Sequence, residues 1–437
     1  MTDFRKCKPS GVVPPVGSEV LVGNSLFVSS QGKLIIDGAV RESLTDHFLD
    51  INEAIQEAIA GDTIYVYGGF HLATGNLQKQ NVTWNFLGYP IVSASSSAVC
   101  LFDDLGNPET IAVNGTGIFI NNFYGGGVKG KILTINNVNT ILEFECYQIQ
   151  FQGSYGCRFL NGRGNFTCIG GINKYGNDFG LDFGGTANYT INTPYIENSN
   201  ASTTSFSSCV SLSAGFNGNV TINSKTINHS ANQFSPIRNE GSGGKLTING
   251  SITYTTGTGT GFYQQAIWVN GFSTIVLNGE LFTNSMAYRL FGGSGNTLTV
   301  NSKIIGFGMT GQSLISALTD NNNFNINADL EAVGNCPTVI NIGGNNHVVR
   351  ISNCRIVNND LALPSKSCYL VSGTGKRFIN NVSFVNTFNT GVLEAITSTT
   401  PQDIRILQGN AGGSDNINAN ITNIITGTVY IFDTDYI

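Results

Sequence analysis

Acidic side chains are sparse beyond residue 63, so the pairs that can do acid–base chemistry are easily surveyed. Asp178 and Asp182 flank Phe179-Gly180-Leu181 in an aromatic, Gly-rich stretch that also holds Tyr175 and Phe183. Glu143 and Glu145 stand either side of Phe144, and Asp329 and Glu331 either side of Leu330. In a strand, residues i, i+2 and i+4 share a face, so each pair points one way. Glycoside hydrolysis uses two carboxyl groups about 5–9.5 Å apart across the scissile bond. Asp178 and Asp182 are the candidate catalytic pair, because the neighbouring aromatics can stack on sugar rings. The competing reading of every pair is a solvated outer face, which needs no chemistry.

The aromatics suggest binding. Tyr254, Phe262, Tyr263, Trp268 and Phe272 crowd one stretch, and Tyr288 and Phe291 follow. Phe262, Tyr263, Trp268 and Tyr175 are the candidate ligand-binding residues, with Phe262-Tyr263-Gln264-Gln265 placed as an exposed platform in a Thr/Gly-rich loop. At least half of the aromatics are expected in the core. The four histidines, His47, His71, His229 and His347, are isolated and read as surface or capped residues. The nine cysteines form no CxxC, so neither a zinc centre nor a disulfide framework is expected; they read as reduced, buried thiols. The Gly-rich GGTANY and GGSGNT stretches have no following helix to hold a phosphate, so no cofactor is expected. No Gly-x-Ser-x-Gly elbow supports an esterase.

Charged residues make up only 11% of 437, with a formal net charge of −6 and no basic stripe, which argues against nucleic acid and for a neutral partner such as a carbohydrate. No run reaches the roughly 20 apolar residues of a membrane helix, and the N-terminal MTDFRKCKPSGVVPPVG lacks an apolar signal core.

These residues must be positioned by a repeat. LTINNV at 133–138, YTINTPYI at 189–196, VTINSKTI at 220–227 and LTINGSIT at 246–253 share an apolar-x-apolar-Asn core, as do later copies. The Asn falls at Asn192, Asn223, Asn249, Asn278, Asn301, Asn327 and Asn353, at intervals of 23 to 31 residues. Two or three short strands per roughly 26 residues make one coil of a parallel solenoid, with the asparagines stacked as a ladder at about 4.8 Å. Residues 63–437 then give about fourteen coils, a rod of roughly 65 Å.

Ahead of the rod, Ile51, Ala54, Ile55, Ala58 and Ile59 form one helical stripe behind an Asp50/Glu53 capping box, with Gly61 ending the helix. This helix, within 46–62, is expected to cover the open end of the stack. Residues 1–45 read as an extended arm and a small hairpin around Ser30-Gln31-Gly32.

The segment FLDINEAIQEAIAGDTIYVYGGFH at 48–71 resembles the opening of pectate-lyase-like right-handed parallel β-helices, through Ala54, Ile55, Ala58, Gly61, Asp62, Thr63, Ile64, Val66 and Gly69. The fold expected is therefore all-β, a single-stranded right-handed parallel β-helix capped by a short amphipathic α-helix. The superfamily's polygalacturonase signatures are missing: Asp103-Asp104 stands alone, no Gly-His-Gly exists, and Arg355-Ile356 is followed by Val357. A pectate lyase would offer clustered aspartates for calcium, which are also missing. Within the superfamily the chain resembles bacteriophage tail spikes and related virion appendages. That resemblance implies a homotrimer attached to other virion proteins through residues 1–45 and made in the host cytoplasm, whose rod binds a host-surface polysaccharide; from the residue survey itself, no cofactor or metal is expected. A polysaccharide depolymerase on the same scaffold, hydrolase or lyase, is the alternative, and a surface-displayed bacterial adhesin is a third reading.

Overall fold

The computed structural model describes residues 51–386 except 97, 122–129, 152–155, 175–177, 199–206, 230–234, 256–264, 360–364 and 372–373, together with six short strands outside that range. The fold is an all-β parallel solenoid with one short helix. It divides into two compact units, Met1–Pro194 and Tyr195–Ile437.

In the first unit each turn carries up to three strands. The first series runs Thr63–Tyr67, Thr83–Leu87, Thr110–Gly115, Ile141–Cys146 and Arg163–Cys168, each paired in parallel with the next, and closes on the start of Asn188–Asn198. A second series pairs Phe70–Ala73, Ile91–Ala94, Ile118–Ile120, Gln148–Phe151 and Ile172–Lys174. A third pairs Cys100–Asp103, Lys131–Ile135, Cys157–Phe159 and Asp178–Phe183. Alternation in the first series puts one set of side chains inside, and that set includes a run of aromatics. Phe144 and Phe166 are register partners and stack at 5.0 Å, Phe159 and Phe183 at 4.9 Å. Offset stacking between identical positions of successive turns adds roughly 0.5–1.5 kcal/mol per pair beyond burial.

The end of the stack is closed by more than the helix. Ser25–Val28 pairs in parallel with Thr63–Tyr67, the first turn's leading strand, and antiparallel with Leu34–Asp37. The hairpin expected in residues 1–45 thus satisfies the open edge. The helix spans Ile51–Glu57, shorter than the expected stripe, with Ile51, Ala54 and Ile55 buried. Ala58 is also buried, but Ile59 is 48% exposed and does not belong to the apolar face. The reason lies in Asp62: its carboxylate accepts the Ile59 N–H at 2.8 Å, and its own N–H donates to the Ile59 carbonyl, so the chain leaves the helix axis there. Lys79 Nζ donates to the Ile55 and Gln56 carbonyls, capping the helix C-terminus with a cation. Asp50 lies outside the described residues.

The second unit repeats the plan. Its first series begins with Asn219–His229 and continues through Ser242–Ile248, Phe272–Leu277, Thr297–Val300, Asn323–Ile326, His347–Asn359, Gly375–Asn386 and Asp403–Gly412 to Val429–Ile431. Among the described residues the series thus stacks six strands in the first unit and nine in the second, and the coil count differs somewhat from the roughly fourteen expected. Successive turns are not equal: Thr63 and Thr83 are register partners across 20 residues, Ile248 and Leu277 across 29. The C-terminal strand Val429–Ile431 pairs with Ile404–Ile406 of the preceding turn.

At the corner after the first series runs the asparagine ladder. Asn249 Nδ2 donates to Asn223 Oδ1 at 2.8 Å, Asn278 to Asn249 at 2.7 Å, Asn301 to Asn278 at 2.9 Å and Asn327 to Asn301 at 3.2 Å. At the next turn Ser352 Oγ takes this place, donating to Asn327 Oδ1 at 2.8 Å, while Asn353 sits one residue on with φ 52°. Asn192, in the first unit, donates to Thr167 Oγ1 at 3.5 Å. Gly250 and Gly279 follow the ladder because the turns touch there: a Cβ on Gly250 would strike the Ser224 carbonyl oxygen, and one on Gly279 the Gly250 carbonyl.

Candidate functional site

The third series positions the polar side chains most able to meet a ligand. In the first unit Asp103, Thr134, Arg158 and Asp182 are successive register partners, one column on one side of the sheet. Asp182 is fully buried, and Arg158 Nε donates to its Oδ2 at 3.3 Å. Asp178 lies on the same strand, four residues earlier, about 13 Å away at the Cα by strand rise; its side chain lies outside the described residues. Asp103 and Asp182, three turns apart, are separated by about 14 Å. The Asp103–Asp182 spacing exceeds what a glycosidase pair uses, and Asp182 already has a structural partner in Arg158. Burial pushes the Asp103 carboxyl above the ordinary carboxylate range, the Leu105 N–H opposes that, and the neighbouring Asp104 adds to the push. Asp104 itself is a structural hub: it is buried and accepts from the Asn136, Asn137 and Gly106 N–H groups and from Thr140 Oγ1 at 2.8 Å.

Glu143 and Glu145 do share a face, with Phe144 turned inward. Their Cα atoms are about 6.7 Å apart by strand rise, within glycosidase reach. Both are exposed beside Asn165 and Thr167, which face them across the ladder. An acid and a base need different surroundings, and these two share one open face. Asp329 and Glu331 are engaged structurally: Asp329 Oδ1 accepts the Arg355 N–H at 2.7 Å, and Glu331 pairs with Lys303 at 3.0 Å.

In the second unit the corresponding column reads Ser211, Arg238, Trp268, Arg289, Ser316 and Asn341, again in register. The Arg238 guanidinium lies over the Trp268 ring at 5.3 Å and pairs with Glu240 at 2.6 Å. Arg289 lies over Phe291 at 5.4 Å. Trp268 is buried to 5% exposure within this stack, whereas Phe291, 41% exposed, offers a ring face at its edge. The arrangement combines planar donors with aromatic surface, which suits the polar edges and apolar faces of a sugar. Of the other aromatics, Tyr254 and Tyr288 are core and Phe272 is exposed. Phe262, Tyr263 and Tyr175 lie outside the described residues.

Thiol and imidazole groups turn inward. His71, His229 and His347 are all buried and not at the surface, and His347 is capped through both ring nitrogens, by the Gly343 carbonyl and the Asn322 N–H; His47 lies outside the described residues. Cys209 Sγ sits 3.7 Å from His229 Nδ1, a nucleophile–base contact, but both are sealed in the core. Burial pushes the Cys100 and Cys354 thiols up to about 12 and raises Cys146 and Cys157 as well, so these sulfurs pack as neutral apolar groups. Among the described residues no group of three or more His, Cys, Asp or Glu side chains is placed to hold a metal.

Arg238 and Arg289 were not singled out in the sequence, yet a signal exists. Pro-Ile-Arg-Asn, Ala-Ile-Trp-Val and Ala-Tyr-Arg-Leu place their central polar or aromatic residue at one position of the third strand, and aligning those strands superposes them. The Cys209–His229 contact has no such signal, since the two strands meet across a corner. No family model, no curated protein and no solved structure matches this chain.

Proposed function

We propose that this chain is a virion structural protein of the tail-spike or appendage type, whose parallel solenoid presents a rigid surface for binding a host-surface glycan. The observation that carries this reading is the Arg238–Trp268–Arg289 column with Phe291 at its edge, set on a weakly charged, Asn- and Thr-rich solenoid. In-register stacking fixes these side chains without loop ordering, which lowers the cost of binding. Residues 1–45 would serve attachment to other virion proteins, and the assembly would be a homotrimer. In the test, purified protein is incubated with host cells and with extracted capsule. Arg289→Ala and Phe291→Ala are each expected to weaken attachment about tenfold, since one good stacking or charge-assisted contact contributes roughly 1–2 kcal/mol. Unchanged attachment by both variants refutes the site.

One observation supports a second reading, a depolymerase: the exposed Glu143/Glu145 pair at glycosidase spacing. Release of reducing ends from the capsule, abolished by Glu143→Gln or Glu145→Gln, would establish it; a capsule left intact by the native protein rejects it.

A further inference from the structure

Arg377 sits where the solenoid has no use for a charge. It lies on strand Gly375–Asn386 as the register partner of Val349, a core residue of the preceding turn, and is itself only 1% exposed. Nη1 donates to the His347 carbonyl at 3.1 Å and to the Lys376 carbonyl at 3.4 Å, and Nη2 to the Thr374 carbonyl at 3.5 Å. Its Nε–H meets no acceptor. These partners are neutral, and among the described residues no carboxylate lies within ion-pair distance of it.

A second orphan faces the same interior. Tyr369, on strand Ser365–Val371 of the third series, is fully buried, and its O–H meets no acceptor. Burial raises its pKa, while the Arg377 guanidinium pulls the other way, by its charge and by a hydrogen-bond contact with the hydroxyl oxygen. His347 offers no compensation. Its pKa is lowered, by burial first and by Arg377 in addition, so the ring is neutral; Nε2 bonds to the Gly343 carbonyl at 2.6 Å and Nδ1 receives the Asn322 N–H at 3.3 Å. The guanidinium is nevertheless accommodated by design of the backbone. Gly375 has φ 130°, and a Cβ there would stand 2.9 Å from Arg377 Nη1 and strike the His347 carbonyl oxygen.

A buried, unpaired guanidinium costs several kcal/mol, and buried donors without acceptors add to that. We infer that the core of the second unit binds a small monovalent anion, a halide in size, against the Arg377 guanidinium and the Tyr369 hydroxyl. Water could accept the two hydrogen bonds but brings no charge. A polyatomic oxyanion asks for more donors than these two side chains supply. The anion is a structural ligand, independent of the glycan surface proposed above.

The test is thermal unfolding of the full chain in sodium chloride, bromide and gluconate at matched ionic strength, with bromide-grown crystals measured for anomalous scattering. Native protein is expected to show a saturable rise in Tm, about 2–4 °C, with either halide over gluconate. Arg377→Met should lose that difference, and Tyr369→Phe should reduce it. An anomalous bromide peak beside Arg377 is expected. Equal Tm values in halide and gluconate, a halide response kept by Arg377→Met, or density showing a carboxylate of the chain itself against Arg377 overturns the inference. If Arg377→Met does not fold, the native salt comparison and the bromide map decide.

Discussion

Asn278 gives one amide hydrogen to Asn249 and accepts one from Asn301, and all three side chains stand on an exposed corner. Asp104 accepts four hydrogen bonds from the next turn and its own loop, at full burial. The two residues look alike as stacking devices but differ in what happens when they are removed. After Asn278→Ala, the freed amide groups of Asn249 and Asn301 turn to water, so the loss is about 1 kcal/mol. After Asp104→Ala, the half-buried N–H groups of Asn136 and Asn137 lose their carboxylate acceptor and the Thr140 hydroxyl keeps only the Asn107 carbonyl, so the loss is about 3 kcal/mol. Urea denaturation of the two variants checks this ranking; a ladder variant as damaging as the hub variant would mean that the corner is not open to solvent.

Among the elements, the N-terminal cap shows best how far the sequence could be read. The 3.6-residue spacing of Ile51, Ala54, Ile55 and Ala58 located the helix and its buried face. It could not show that Asp62 would pull Ile59 off that face, because the competing hydrogen bond is made only once the helix meets the first turn. Nor could it show that Ser25–Val28 pairs with Thr63–Tyr67, since the pattern of a strand is silent about its partner. Ile55→Asp therefore buries a carboxylate against the stack and is expected to cost about 3 kcal/mol, with aggregation seen by light scattering. Ile59→Asp is expected to stay within about 0.5 kcal/mol of the native protein. Equal damage from both would show that the helix continues through Ile59 in solution. The same asymmetry holds for the ladder. The repeated Asn was visible from residue types, but the change from Asn327 to Ser352 depends on a one-residue difference in how the chain turns the corner.

At the scale of the whole molecule, period and alternation were enough to specify a parallel solenoid, because each turn repeats one local solution. The candidate site was harder to read. Its residues come one per turn, so Arg238, Trp268 and Arg289 become neighbours only through register. The charge pattern leads to the last prediction. With 28 acidic and 22 basic residues in 437 and a net charge of −6, the molecule has little field with which to attract a charged polymer. Arg238 is already neutralised by Glu240 at 2.6 Å. Recognition through stacking and short-range hydrogen bonds is barely screened, because such contacts are shorter than the Debye length of about 10 Å at 0.1 M salt. Attachment to the host glycan should therefore change less than about twofold between 0.05 and 0.5 M sodium chloride, measured by surface plasmon resonance on immobilised capsule. A loss of tenfold or more over that range would assign the binding to long-range attraction instead, and would move the search for the contact surface away from the Arg–Trp column to the scattered lysines.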